Sequence, residues 1–313
     1  MTRPPFLSAM FLLSTSIAAQ IAFADNAAPA TPQRALVDVT WIQARIDSPR
    51  VCILELGPDI RRYRQGHIPG ARFVHWVDDI TEPADQARYT VAPPEMIEAL
   101  LCRLGVQNDT TIVLYDDLNS RVSARMFWTL RYYGHKEIRI LDGGRNAWPT
   151  AGQEFVTETT RVEPREYKIV STLKKHRICL KQLRNQLGKP GISIIDGRPA
   201  AQYTGEEPGK VYHTGKAHDQ RGHIPGAVNI LWTDNFREDG TFRSPAELSQ
   251  MYEDHGVTRS HRVIAYCNEG LHAAPVWFVL TELLGYDKVQ VYDESMAQWA
   301  NDRELPVRQG DQP

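Results

Sequence analysis

The sequence is short of several things. It has no excess of positive charge: 36 Lys and Arg stand against 38 Asp and Glu, a net charge of -2 over 313 residues. With no basic tract either, nucleic acid is not a partner, and no stable membrane patch is implied. Cysteine is scarce. The four, Cys52, Cys102, Cys179 and Cys267, have no CxxC spacing, which disfavours a zinc or thioredoxin-type site. Beyond the first 24 residues no run approaches the ~18 apolar residues needed to span a bilayer. After Cys267 no arginine occurs until Arg303.

The first 24 residues read differently from the rest. Arg3 opens a mostly apolar stretch from Phe6 to Ile21, and Ala22-Phe23-Ala24 then fits a small-x-small cleavage pattern. This is a secretory signal peptide over 1–24, cut after Ala24. A membrane anchor is the rival reading, but Ser8, Ser14, Ser16 and Gln20 interrupt the run. The mature protein is expected to be exported, and periplasmic if the source is a Gram-negative bacterium. An even cysteine count in an oxidising compartment invites disulfides. The contexts VCILEL, MIEALLCRLG and RICLKQL instead suggest that Cys52, Cys102 and Cys179 are buried free thiols.

What the chain does have is a repeat. Gly66-His67-Ile68-Pro69-Gly70-Ala71 recurs as Gly222-His223-Ile224-Pro225-Gly226-Ala227. Strand-like runs precede both copies, Val51–Leu56 and Ile192–Asp196. Helix-like runs follow, Pro94–Leu104 before Gly105 and Pro245–His255 before Gly256, with Pro and Gly as punctuation. Thr111–Tyr115 aligns with Arg262–Tyr266 at a shift of 151 residues. The same shift pairs Gly134 with Gly285, Asp142 with Asp293 and Trp148 with Trp299. Two copies of one α/β unit follow, each a parallel sheet with helices on both faces. The polar stretch from about 150 to 173 links them, dividing the mature chain into 25–157 and 158–313.

The second unit holds the chemical loop. Arg262–Tyr266 reads as a buried strand and Ala273–Leu284 as a helix. The six residues Cys267-Asn268-Glu269-Gly270-Leu271-His272 turn between them, at the strand end where open α/β sheets bind ligands. Such a turn can aim backbone N–H groups at the thiol, and the helix adds about half a positive charge. A thiol pKa below about 8.5 is therefore expected, making Cys267 a nucleophile. The first unit has Asp116 at the matching position. It is read as an interdomain contact, so only the second unit is active.

Two reactions suit a cysteine in such a cradle. Phosphate-ester hydrolysis needs a loop arginine to clamp the phosphate, and none is present. Transfer of a sulfane sulfur needs only amides around a persulfide.

The mature chain resembles the tandem-domain rhodanese family, the thiosulfate and 3-mercaptopyruvate sulfurtransferases. The loop Cys267–Ala273 fits its Cys-x-x-Gly-x-x-Ala pattern. The two GHIPGA copies fit its recurring motif, and Tyr292-Asp293-Glu294-Ser295-Met296-Ala297-Gln298-Trp299 fits its YDGS-x-x-x-W run. The resemblance implies two rhodanese-like domains, the first inactive. It also implies a Cys267 persulfide fed by thiosulfate and discharged to cyanide or a thiol, with no metal or organic cofactor. Arg198, in Asp196-Gly197-Arg198, matches the family's D-x-R arginine that meets the anionic donor; a surface arginine paired with Asp196 or Glu206 is the plainer reading. Asn268, Glu269, Gly270 and Leu271 line the substrate side, and the amides of residues 268 to 272 form the cradle.

The chain departs from the pattern too. Asn268-Glu269 is neither the basic pair of thiosulfate enzymes nor the Gly-Ser of mercaptopyruvate enzymes. Gln202 or its neighbours replace a second arginine. His272 stands where Ser or Thr is usual, as a hydrogen-bond donor that would be cationic at mildly acid pH, or as a solvated loop residue. A 3-mercaptopyruvate donor and a persulfide carrier without turnover remain open alternatives. His213 and His218 are read as a polar turn, and the seven tryptophans mostly as packing.

Overall fold

The computed structural model describes Met1, Thr2 and residues 35–82, 90–211 and 214–313. The expected signal peptide, from residue 3 onward, and His213 lie outside these residues.

Two parallel sheets form. The first runs β1 Leu36–Val37, β2 Val51–Gly57, β3 Arg72–His75, β4 Thr111–Tyr115 and β5 Ile138–Leu141, in the order β1-β5-β4-β2-β3. The second runs β6 Ile192–Asp196, β7 Ala227–Asn229, β8 Arg262–Tyr266 and β9 Val289–Val291, in the order β7-β6-β8-β9. Every ladder within them is parallel. Helices cover both faces of parallel sheets, so central strands are apolar throughout. Ile112–Tyr115 and Val263–Tyr266 are buried without alternation.

The helices start and stop where their punctuation places them. Pro94 and Pro245 occupy the first turns of Pro94–Arg103 and Pro245–Asp254. Ser244 and Glu247 form a capping box at the second, which satisfies two otherwise orphaned N–H groups. The helix after Cys267 differs from its expected form. It is α-helical over Ala273–Phe278, then widens to π-type hydrogen bonding over Val279–Leu283. Leu284 N–H reaches back five residues to Val279 O at 2.9 Å. Such bulges recur near functional sites.

The repeat becomes a pseudo-twofold axis, and residues 151 apart meet on it. Arg121 faces His272, and Arg131 pairs with Glu282. Phe127 packs edge-on to Phe278 with centroids 4.9 Å apart, the same shift again. Asp293 accepts from Val91 N–H at 2.8 Å, and Asp142 accepts from Phe242 N–H at 2.9 Å. Equivalent residues touching across an axis is the geometry of an isologous interface, here within one chain. The largest apolar core spans both units, joining Leu54, Ile112 and Trp128 to Ala265, Trp277 and Phe278. Each unit keeps a smaller private core on its outer face.

Candidate active site

The two GHIPGA copies explain how each site floor is built. His67 stacks on Tyr63 with centroids 3.8 Å apart, and His223 stacks on Tyr203 at 3.7 Å. The Tyr hydroxyls close each turn on Ala71 O and Ala227 O. Ile68 N–H and Ile224 N–H donate to Tyr115 and Tyr266, the last residues of the two central strands. Each tyrosine donates in turn to a buried carboxylate, Glu55 or Asp196. The leading glycine carbonyls, Gly66 O and Gly222 O, each receive a buried arginine, Arg145 or Arg198. The hexapeptide is thus a seat for an arginine–carboxylate pair, one per unit.

Arg198 is no surface residue. It is buried and grips Asp196 through Nη2 at 2.6 Å and Nε at 2.9 Å, while Nη2 also reaches Gly222 O at 2.8 Å. Its partner is Asp196 and not Glu206. The remaining Nη1 points to where Gly209, Asn268 and His218 converge. A Cβ on Gly209 would lie 3.0 Å from Arg198 Nη1 and 2.7 Å from Asn268 Oδ1, so only glycine permits this approach. The guanidinium and the thiol are close enough to influence each other electrostatically.

Cys267 sits directly after β8 and is 1% exposed. The amides of Glu269, Ala273 and His272 converge on its Sγ, that of His272 at 3.3 Å. The cradle is present, with three corrections. Its members are 269, 272 and 273, whereas Gly270 N–H donates to Ser295 Oγ at 3.0 Å. The Asn268 side chain turns to Gln202 Oε1 and His218 Nε2, and Leu271 is buried within the shared core. The thiol pKa moves opposite to expectation. Burial pushes it up from the ordinary value, and the three amides offset this only in part, because a thiolate shut away from water loses more solvation than they return.

His272 is neither solvated nor cationic. It is buried, stacked on Trp232 at 5.0 Å and 14°, with Nε2 3.3 Å from Arg121 Nη1. Burial, with Arg121 adding to it, pushes the imidazole down to about 3. His218 is likewise no open turn. It bridges Asn268 and Asn301, and burial pushes it down to about 4. Glu269 is buried as well.

Other expectations need revision. Asp116 makes no interdomain hydrogen bond among the described residues: its carboxylate accepts Leu118 N–H and Ser123 N–H, both at 2.7 Å, inside its own unit. Burial pushes its carboxyl up. The cysteines other than Cys267 grade from buried Cys52 through half-buried Cys102 to exposed Cys179, and all four are free thiols. Four contributors escaped the sequence reading. Ser295 accepts from Cys267 N–H and Gly270 N–H. Asp293, ion-paired at 2.5 Å with Arg125 of the first unit, lies against Gly270. Arg121 and Trp232 flank His272. Only the family-like run at 292–299 hinted at the first two.

A model of the rhodanese-like domain matches residues 38–151 and again 180–302. The chain belongs to the rhodanese-like family. Among curated members, it is 34% identical over 280 residues to the sulfur carrier protein TtuD of Thermus thermophilus, covering 88% of this chain and 97% of that one. It is 31% identical over 286 residues to a thiosulfate sulfurtransferase of Corynebacterium glutamicum, covering 90% and 92%. In fold it matches the anaerobic ergothioneine biosynthesis enzyme from Chlorobium limicola with a TM-score of 0.78 at 22% identity, covering 90% of this chain and 71% of that one. The protein is a rhodanese-family sulfurtransferase with its cysteine-bearing loop in the second domain.

Proposed function

We propose that this sulfurtransferase carries sulfane sulfur on Cys267 as a persulfide, taking it from thiosulfate and giving it to a thiophile such as cyanide. Three amides converging on one sulfur at the end of β8 carry the reading. The Cys267 thiol, losing its proton to solvent, attacks the outer sulfur of thiosulfate. The sulfur–sulfur bond breaks and sulfite leaves with the electron pair. Negative charge then rests on the outer sulfur of the persulfide, where the amides hold it. Cyanide attacks that sulfur, thiocyanate leaves, and the Cys267 thiolate returns. No external oxidant or reductant is consumed.

Arg198 contributes positive charge beside the thiol and fixes the floor through Asp196, leaving Nη1 for the donor. 3-Mercaptopyruvate is the alternative donor, and it would leave pyruvate. A non-turnover carrier is the second reading, favoured by the closed setting of Cys267 and by the name of the Thermus relative. We further propose that the mature protein is exported, to the periplasm if the source is a Gram-negative bacterium; N-terminal sequencing of the exported protein should find Asp25 first.

Intact mass after exposure to each donor tests the core of the reading. Wild type should gain one sulfur atom and Cys267→Ser none. Thiocyanate made over many turnovers identifies the enzyme; loading without turnover identifies the carrier. Equal sulfur uptake by Cys267→Ser would remove Cys267 from the chemistry.

A further inference from the structure

The cysteine loop is faced by a cation that belongs to the other domain and forms no ion pair among the described residues. Arg121 opens the Arg121–Tyr132 helix of the first domain. Its Nη1 lies 3.3 Å from His272 Nε2, and His272 N–H is a donor to Cys267 Sγ. Its guanidinium stands over Trp232 at 5.7 Å, and Trp232 also backs His272. Arg121 Nε is buried and meets no acceptor among the described residues. Arg125, Arg145 and Arg198 behave differently, for each is buried against its own carboxylate. Arg121 is half-buried and joins no ion pair among the described residues. The Asp116 carboxylate feels the charge of Arg121 but commits its oxygens to Leu118 and Ser123, so it makes no ion pair with it.

A shielded guanidinium without an anion is unfavourable unless one visits it. Its planar fork matches the paired oxygens of a sulfonate or carboxylate, and an aromatic face beneath holds that plane in place. We propose that Arg121 is a donor-binding residue: its N–H groups take the oxygens of an anionic sulfur donor while the donor's sulfur meets Cys267. This rests on the reading of Cys267 as the sulfur-carrying thiol. It gives the first domain, which has Asp116 in place of the loop cysteine, a direct part in substrate choice. Cyanide is largely neutral hydrogen cyanide near pH 7 and offers no paired oxygens, so the acceptor step should depend on Arg121 much less.

The test separates binding from chemistry. In a Cys267→Ser background, thiosulfate is titrated against tryptophan fluorescence, with and without Arg121→Ala. Losing a charge-assisted contact should weaken binding about ten- to a hundredfold, and Arg121→Lys should recover part of that. With Cys267 present, Arg121→Ala should slow sulfur loading from thiosulfate at least about tenfold more than it slows discharge of preloaded protein to cyanide. Unchanged thiosulfate binding, or equal losses in both halves, would overturn the proposal. The titration decides about Arg121 even if wild-type Cys267 accepts no sulfur, an outcome that would sink only the underlying reading.

Discussion

Cys267 is held by two opposed effects, and burial is the larger. Burial thus favours the neutral thiol at rest, while the amides act fully once charge has moved onto a second sulfur. Sulfur loading from thiosulfate should then keep accelerating as pH rises past the ordinary thiol range near 8.5, measured by mass at short times. A rate that levels off below neutrality would mean a thiolate already formed at rest. Gly270 has φ +78, and a Cβ there would lie 2.5 Å from Asp293 Oδ1 and 2.6 Å from its carbonyl oxygen. Backbone cannot yield as a flexible side chain can. Gly270→Ala should cost at least ~1–3 kcal/mol in urea unfolding and slow loading together. The loop's cysteine and glycine were legible before the structure because their residue types are rarely combined for packing. Their burial was not: Asn268, Glu269 and His272 look like a wet turn, and what makes it dry is distant in sequence, Gln202, His218 and Trp232 from their own domain and Arg121 from the other.

β2, β6 and β8 carry their register in their apolar runs, and β6 and β8 begin and end where the sequence places them. What secures the cysteine loop lies elsewhere in the chain. Ser295, two residues after Asp293, ties down the amides of Cys267 and Gly270. Asp293 reaches across the axis to Arg125 Nη1 and Val91 N–H. These links join segments 168 and 202 residues apart, so no local period announces them. Removing Arg125 leaves the buried Asp293 with only the longer ion-pair contact to Arg177, at 3.7 Å. Arg125→Met should lower stability by about 3–5 kcal/mol in urea unfolding. Asp293→Asn with Arg125→Met should recover part of that, since no lone charge remains. A single variant near wild type would show that Asp293 is satisfied without Arg125.

The two domains share one core, and their equivalent helices meet on the axis. The repeat foretold two similar units, but a sequence shift says nothing of how they face each other. Four buried histidines, His135, His176, His218 and His272, have ring pKa values lowered by desolvation. For His218 the folded value is about 4 against 6.5 unfolded. Its stability contribution is complete above about 6.5 and lost as pH falls through about 4. Glu55 and Asp116, pushed up by burial, act in the opposite sense, so the histidine share is read as a difference between variants. Wild type should lose ground to His218→Gln in urea midpoint between about pH 6.5 and 4, and the two should run parallel above that window. Parallel curves throughout would mean that His218 takes up its proton in the fold as readily as in the unfolded chain.

Asp116 stands where the second domain has its thiol, and its loop amides are already met by its own oxygens. The first copy therefore carries a permanent internal guest. No sulfur-bearing visitor could displace a group bonded to the main chain. One half of the pair is thereby occupied at its own loop, and what it presents to the other is the helix end that carries Arg121.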